Sequence, residues 1–156
     1  MDRNKACCFT GHRFVPTYFD SSLISRGIDY LISRGVDTFI VGGAIGFDTL
    51  CAKAVIAARK KNPQVKLWVF APCMGQDAKW RFEDKQTYKE ILKSADYVSM
   101  PERTYYDGCM KERNYKMVDA SAYCICYFDG GFASGTGQTY RYAKKSGLTI
   151  YNLYNR

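Results

Sequence analysis

The sequence predicts a three-layer α/β fold with a mainly parallel sheet. Three observations lead there: six short apolar β-type runs recur along the chain, five helical patterns lie between them, and the runs lack clean polar alternation. Near-continuous apolar strands belong to parallel sheets covered on both faces. Repeated strand-then-helix order implies right-handed crossovers between parallel neighbours.

The first strand is Ala6–Phe9. A helix over Ser22–Arg34 follows, with Leu23, Ile24, Ile28, Leu31 and Ile32 in one apolar stripe and Gly35 as a natural C-terminal stop. Thr38–Val41 is the second strand. Asp48–Lys61 then places Leu50, Cys51, Ala54, Val55, Ala57 and Ala58 on a broad apolar helix face that stops before Pro63. Lys66–Phe70 is the third strand, with Trp68 expected in the core, and Trp80–Ala95 the third helix. Asp96–Ser99 is the fourth strand, and Pro101–Gly108 reads as an exposed loop and a candidate lid. The helix Cys109–Ser121, the strand Tyr123–Phe128, a helix from about Gly137 to Lys145 and the strand Leu148–Asn152 complete the series. No internal repeat or low-complexity linker divides the chain, so residues 1–156 read as one domain.

Composition narrows the function classes. At 156 residues, 47% hydrophobic and 24% charged, the chain has enough apolar material for a sizeable core. No apolar run reaches the length of a membrane span, and the N-terminus lacks the apolar centre of a secretory signal, so a cytoplasmic protein is expected. The seven cysteines are odd in number and form no CxxC pair, which favours small buried hydrophobes over disulfides. With His12 the only histidine, no metal site is expected. The net charge of +8 points toward anionic partners. The cations are scattered, however, with short clusters only at Arg59-Lys60-Lys61 and Lys144-Lys145, and a solvated basic surface accounts for them equally well.

In open parallel sheets, ligands bind beyond the carboxyl ends of the strands, where helix N-termini present free N–H groups. Three segments lie at such places. Thr10-Gly11-His12-Arg13 leaves the first strand: Gly11 permits close backbone approach, Thr10 and His12 can hydrogen-bond, and Arg13 can fork onto a phosphate. Gly42-Gly43-Ala44-Ile45-Gly46-Phe47-Asp48 leaves the second, with Asp48 placed either to cap the next helix or to accept from ribose hydroxyls. Asp129, Gly130, Gly131, Ser134, Gly135, Thr136 and Gly137 belong to the third, whose hydroxyls and N–H groups from Gly135 to Gln138 suit a phosphate.

Arg113 adds a fourth element. It shares a helix face with Met110 and Met117, and a charge on that inward face needs an anion or a structural partner such as Asp119 or Asp129. Phe47, Trp80, Tyr105, Tyr106 and Phe132 lie near strand ends or loops and are candidates to stack on a base, although most aromatic residues serve packing.

Taken in order, FTGHR, GGAIGFDTLCAKAV, ERNYKMVDAS and DGGFASGTGQTYRYAKKSG resemble the YpsA-like family of the SLOG (Smf/DprA–LOG) superfamily, from Cys8 to Ile150. The resemblance implies a Rossmann-like sheet with a nucleotide or nucleotide-derived ligand across its strand ends. It also admits a homodimer, since related superfamily members often pair.

Two branches of that superfamily imply competing functions. LOG proteins are phosphoribohydrolases that split the N-glycosidic bond of nucleoside monophosphates, with a signature resembling PGGxGTxxE after an Arg-bearing helix. Arg113, Gly130, Gly131, Gly135 and Thr136 fit that frame. Two extra residues precede Gly135, however, and Thr139 stands at the acidic position. Neither Thr139 nor Gln138 can act as the carboxylate, a role worth roughly 10²–10⁴-fold in rate, so no catalytic residue is assigned unless Asp48 or Asp129 substitutes. The DprA branch binds single-stranded DNA, and Gly42–Asp48 resembles its SGxAxGID segment. The chain lacks the additional domains common in that branch and shows no continuous basic stripe with interleaved aromatics. The leading expectation is binding or sensing of a small nucleotide such as AMP, NAD or ADP-ribose, with nucleic acid second and no membrane role.

Overall fold

A computed structural model of the chain describes residues 2–131 and 134–154. After a single 3₁₀ turn at Arg3–Lys5, strands and helices alternate: β1 (Ala6–Gly11), α1 (Ser22–Ser33), β2 (Thr38–Val41), α2 (Phe47–Lys61), β3 (Lys66–Phe70), α3 (Phe82–Ser94), β4 (Tyr97–Ser99), α4 (Cys109–Asp119), β5 (Tyr123–Tyr127), α5 (Gly135–Lys145) and β6 (Thr149–Asn152). The sheet order is β4-β3-β2-β1-β5-β6, and every neighbouring pair runs parallel. The expected α/β Rossmann-like fold is present.

Strand alternation divides the core between the two faces. Cys7 and Phe9 of β1, Phe39 and Val41 of β2, Leu67 and Val69 of β3, and Ile125 and Tyr127 of β5 pack with Ile24, Ile28 and Leu31 of α1 and Phe47, Cys51 and Val55 of α2. The intervening residues Ala6, Cys8, Ile40, Cys124 and Cys126 face Met117 and Val118 of α4 and Ala143 of α5. All seven cysteines are buried, as apolar strand and helix residues would be. Among the described residues no helix is long and apolar enough to cross a membrane.

Trp68 departs from expectation. β3 lies next to the edge strand β4, so this ring sits at the core's margin, half-buried, with its centroid 4.9 Å from that of Tyr97. Several element ends also shift. α3 starts at Phe82 and leaves Trp80 in the preceding turns. α5 starts at Gly135 because Ser134 caps it, accepting from the Gly137 N–H.

The order of strands positions the site. From β1 the chain proceeds outward through β2, β3 and β4, then returns to place β5 on the other side of β1. The loops leaving β1 and β5 therefore diverge in opposite directions and open a crevice at the carboxyl edge of the sheet.

Candidate functional site

A hollow of about 280 Å³ occupies that crevice. Thr10, Gly11, His12 and Arg13 form one wall, while Ser134, Gly135 and Thr136 form the opposite one. Asp48 and Ala44 contribute from the β2–α2 loop and the first turn of α2, and Arg113 from α4. Phe9, Met110 and Asn114 also line it and were missed by sequence reasoning. Met110 lies one turn before Arg113, so helical spacing could have nominated it.

The α5 wall offers fewer donors than the sequence suggested. Ser134 Oγ accepts from the Gly137 N–H at 2.9 Å, and the Gln138 N–H donates to the Ser134 carbonyl at 3.1 Å. Gly135 and Thr136 then supply the first-turn N–H groups on that side. Gly130, Gly131 and Gly137 do not line the hollow, but Gly131 and Gly137 both bond to the lining residue Ser134, whose Oγ donates to the Gly131 carbonyl at 3.0 Å. Asp129 stands behind His12: its N–H donates to His12 Nε2 at 3.3 Å, and its Oδ1 lies 3.2 Å from the same nitrogen. The Gly131 N–H donates to Asp129 Oδ1 at 2.9 Å and, with His12, holds this carboxyl below its usual range.

Gly42, Gly43 and Gly46 also lie outside the lining. Gly42 is a relay: its N–H donates to Asp48 Oδ2 at 2.9 Å, and its carbonyl accepts from Arg113 Nη1 and Gln76 Nε2. Gly43 packs against the Tyr88 ring. Gly46, with φ +86°, turns the chain so that the Phe47 N–H reaches the His12 carbonyl at 3.2 Å. Asp48 does not cap α2, contrary to the capping expectation. Gly46 occupies the cap position without any side-chain bond, and the Asp48 carboxylate turns back toward Gly42.

Arg113 is buried, as its helix face required, yet its partners are not Asp119 or Asp129. Asp119 accepts from the Tyr142 hydroxyl at 2.7 Å, and Asp129 faces His12. Arg113 Nη1 instead donates to the Gly42 carbonyl and, at 3.2 Å, to that of Phe70, while Nε donates to Asn114 Oδ1 at 2.8 Å. Asp48 is the counter-charge, acting across the Gly42 relay. Burial pulls the guanidinium below its ordinary value, and Asp48 opposes that pull. A guanidinium remains a cation under any such shift at ordinary pH.

Burial likewise pushes the Asp48 carboxyl above its ordinary 3.8, against the Arg113 charge and the Gly42 N–H. Its Oδ1 is buried and completes no hydrogen bond, although the Ala44 N–H is close enough to favour the charged form. An acid whose pKa is higher folded than unfolded binds its proton more tightly when folded, so its contribution to stability grows as pH falls toward 3.8. Wild type should therefore gain stability relative to Asp48→Asn between neutral and mildly acidic pH. Urea denaturation of both proteins across that range checks the sign; a relative loss in wild type would mean that the Arg113 charge outweighs burial.

The stacking candidates separate cleanly. Phe47 is excluded, being fully buried with its ring 6.0 Å from Tyr127 and 6.4 Å from Phe19. Tyr106 lies beneath the Arg103 guanidinium and donates to Glu112. Trp80 and Tyr105 line a second hollow of about 510 Å³, which shares Arg13 and Met110 with the first. Phe132 lies outside the described residues. The Pro101–Gly108 loop is exposed over most of its length but is tied down, since its Arg103 carbonyl accepts from the Met74 N–H at 2.8 Å. Thr139 is buried within α5, its Oγ1 donating to the Gly135 carbonyl at 2.9 Å, away from the hollow.

The chain is similar to several known proteins. It is 32% identical over 122 residues to the SPbeta prophage-derived protein YoqJ of Bacillus subtilis, covering 70% of this chain and 71% of that one. UPF0398 proteins of Staphylococcus epidermidis (SERP1017) and Brevibacillus brevis (BBR47_29830) are each 25% identical, over 72% and 74% of this chain. The chain spans less than two thirds of their length, 61% and 63% respectively. DNA processing protein A from Helicobacter pylori, solved for its single-stranded DNA binding mode, shares the fold with a TM-score of 0.67 at 18% identity. That superposition covers 93% of this chain and 63% of the other. The YpsA family model, described as the YspA SLOG family, matches residues 18–153, and the chain belongs to that family.

Proposed function

We propose that the hollow between β1 and β5 binds the phosphate and ribose of a small nucleotide, AMP, NAD or ADP-ribose being the first to try. One observation carries this reading: the β1 exit, the first turn of α5 and the Arg113–Asp48 pair converge on one cavity at the topological switch point. The α5 N–H groups and Arg13 suit a phosphate, and the Asp48 carboxylate in the wall is the acceptor that suits a donating hydroxyl such as that of ribose. Thr139, bonded within its own helix, leaves the LOG-type carboxylate position without a base, which favours binding over glycosidic cleavage.

Arg13 is exposed and makes the better test residue, because its loss leaves the core intact. Titration calorimetry is expected to show binding of at least one of the three nucleotides. Arg13→Ala should weaken that binding roughly tenfold or more, the worth of a charge-assisted bond. No heat with any of them would overturn the proposal. A single-stranded oligonucleotide serves as the competing arm, since the β1–α1 loop exposes Phe14 and Tyr18 beside Arg13 and the fold is shared with a DNA-binding protein. Affinity for the oligonucleotide alone, falling steeply with salt, would favour that reading instead.

A further inference from the structure

We infer that the second hollow, beneath Trp80 and Tyr105, is the base-binding half of the same site. The ligand is then a nucleotide whose planar ring lies there while its phosphate meets the start of α5. This rests on the reading of the first hollow as a phosphate and ribose site.

Contiguity is the first argument. Arg13 and Met110 belong to the walls of both hollows, so a molecule leaving the first along that wall enters the second. The first hollow, at about 280 Å³, falls just short of the roughly 300–1,000 Å³ of typical ligand pockets, and the second adds about 510 Å³.

Chemistry is the second argument. The first hollow carries the hydroxyls of Thr10, Ser134 and Thr136, the charges of Arg13, Asp48 and Arg113 and the start of α5, which match phosphate and sugar. The second presents the Trp80 and Tyr105 rings with Cys73 and Met110 beside them, the soft and flat surface that a heteroaromatic base needs. Trp80 is held in place: Tyr88, itself buried, meets it edge-on with centroids 5.3 Å apart and planes at 65°. A ring fixed before binding loses little freedom on stacking. Tyr105 is 64% exposed and stands in the loop that Met74 anchors. Stacking on an aromatic side chain typically changes affinity by roughly 5- to 150-fold.

The test compares AMP with ribose 5-phosphate, which carries the same phosphate and sugar without a base. In a Trp68→Phe background, Trp80 is the only tryptophan and reports on its own surroundings. Both molecules should bind by calorimetry, ribose 5-phosphate more weakly, and only AMP should change Trp80 fluorescence. Trp80→Ala should lower AMP affinity roughly tenfold toward that of ribose 5-phosphate, whose own affinity stays unchanged, and Trp80→Phe should restore most of the loss. AMP binding that is undiminished in Trp80→Ala and silent in Trp80 fluorescence would overturn the base subsite while leaving the phosphate site standing. Failure of both molecules to bind would instead remove the phosphate site, and the base subsite with it.

Discussion

Gly46→Ala is expected to destabilise the protein by about 3–5 kcal/mol and to abolish binding in the β1–β5 hollow. Gly46 has φ +86° and ψ −126°, a conformation that side-chain-bearing residues rarely adopt. A Cβ placed there would also collide with the Arg13 carbonyl oxygen and lie 2.6 Å from the Arg13 Cα. Both obstacles are backbone, so no rotamer change relieves them. The β1–α1 loop would have to lift, breaking the Phe47 N–H bond to His12 and carrying His12 and Arg13 away from the hollow. At about 2–4 °C per kcal/mol for a chain of this size, the melting temperature should fall by roughly 10 °C. Gly108→Ala is the comparison, because Gly108 also has a positive φ, +84° with ψ −1° in the left-handed helical region, but nothing within 4 Å of the added carbon. Its cost should be only about 1–2 kcal/mol of left-handed strain. Calorimetric melts of the two variants that coincide would show that the collision with Arg13 carries no weight.

Arg113→Ala is expected to cost about 3–5 kcal/mol, the range for breaking a buried charged network on one side. The Phe70 carbonyl and Asn114 Oδ1 lose the guanidinium donor, and the Gly42 carbonyl is left with Gln76 Nε2 alone of its two side-chain donors. Asp48 loses its counter-charge in the same stroke and should take up a proton nearer neutrality. Arg113→Lys should recover only part of the loss, since an ammonium keeps the charge but cannot span the same acceptors with a planar fork. A double-mutant cycle with Asp48→Asn isolates the long-range term from the hydrogen bonds. Denaturant unfolding in which Arg113→Ala costs less than about 1 kcal/mol would place this side chain among ordinary surface arginines.

Much of this architecture could be read from residue order. Each strand and helix was recognisable because its apolar residues repeat with the right period, and the three glycine loops were correctly placed at strand exits. What could not be read depends on contacts between distant segments. Phe47 looked available for stacking, because nothing in the sequence says that its ring fills the space left by the missing side chain of Gly11. Arg113 was identified as buried from its neighbours on one helix face, but backbone carbonyls of β2 and β3 as partners leave no trace in sequence. Asp48 was expected to cap α2, and lies instead two residues past the cap position, in the first turn, serving Gly42. At Gly42, Gly43 and Gly46 the missing side chains let Arg113, Tyr88 and the Arg13 backbone approach closely, which residue order alone does not reveal.

β1 precedes the other described strands in the chain, yet its second neighbour, β5, follows only after three more strands have been made. While the nascent chain lengthens, β2, β3 and β4 can join it on one side, but its other edge waits for Tyr123–Tyr127. Until then the polar backbone groups along Cys7 to Gly11 form an open edge beside exposed apolar side chains, the kind of surface that recruits other unfinished chains. Messages truncated between α4 and β5, which lack β5, α5 and β6, should therefore yield mostly insoluble product.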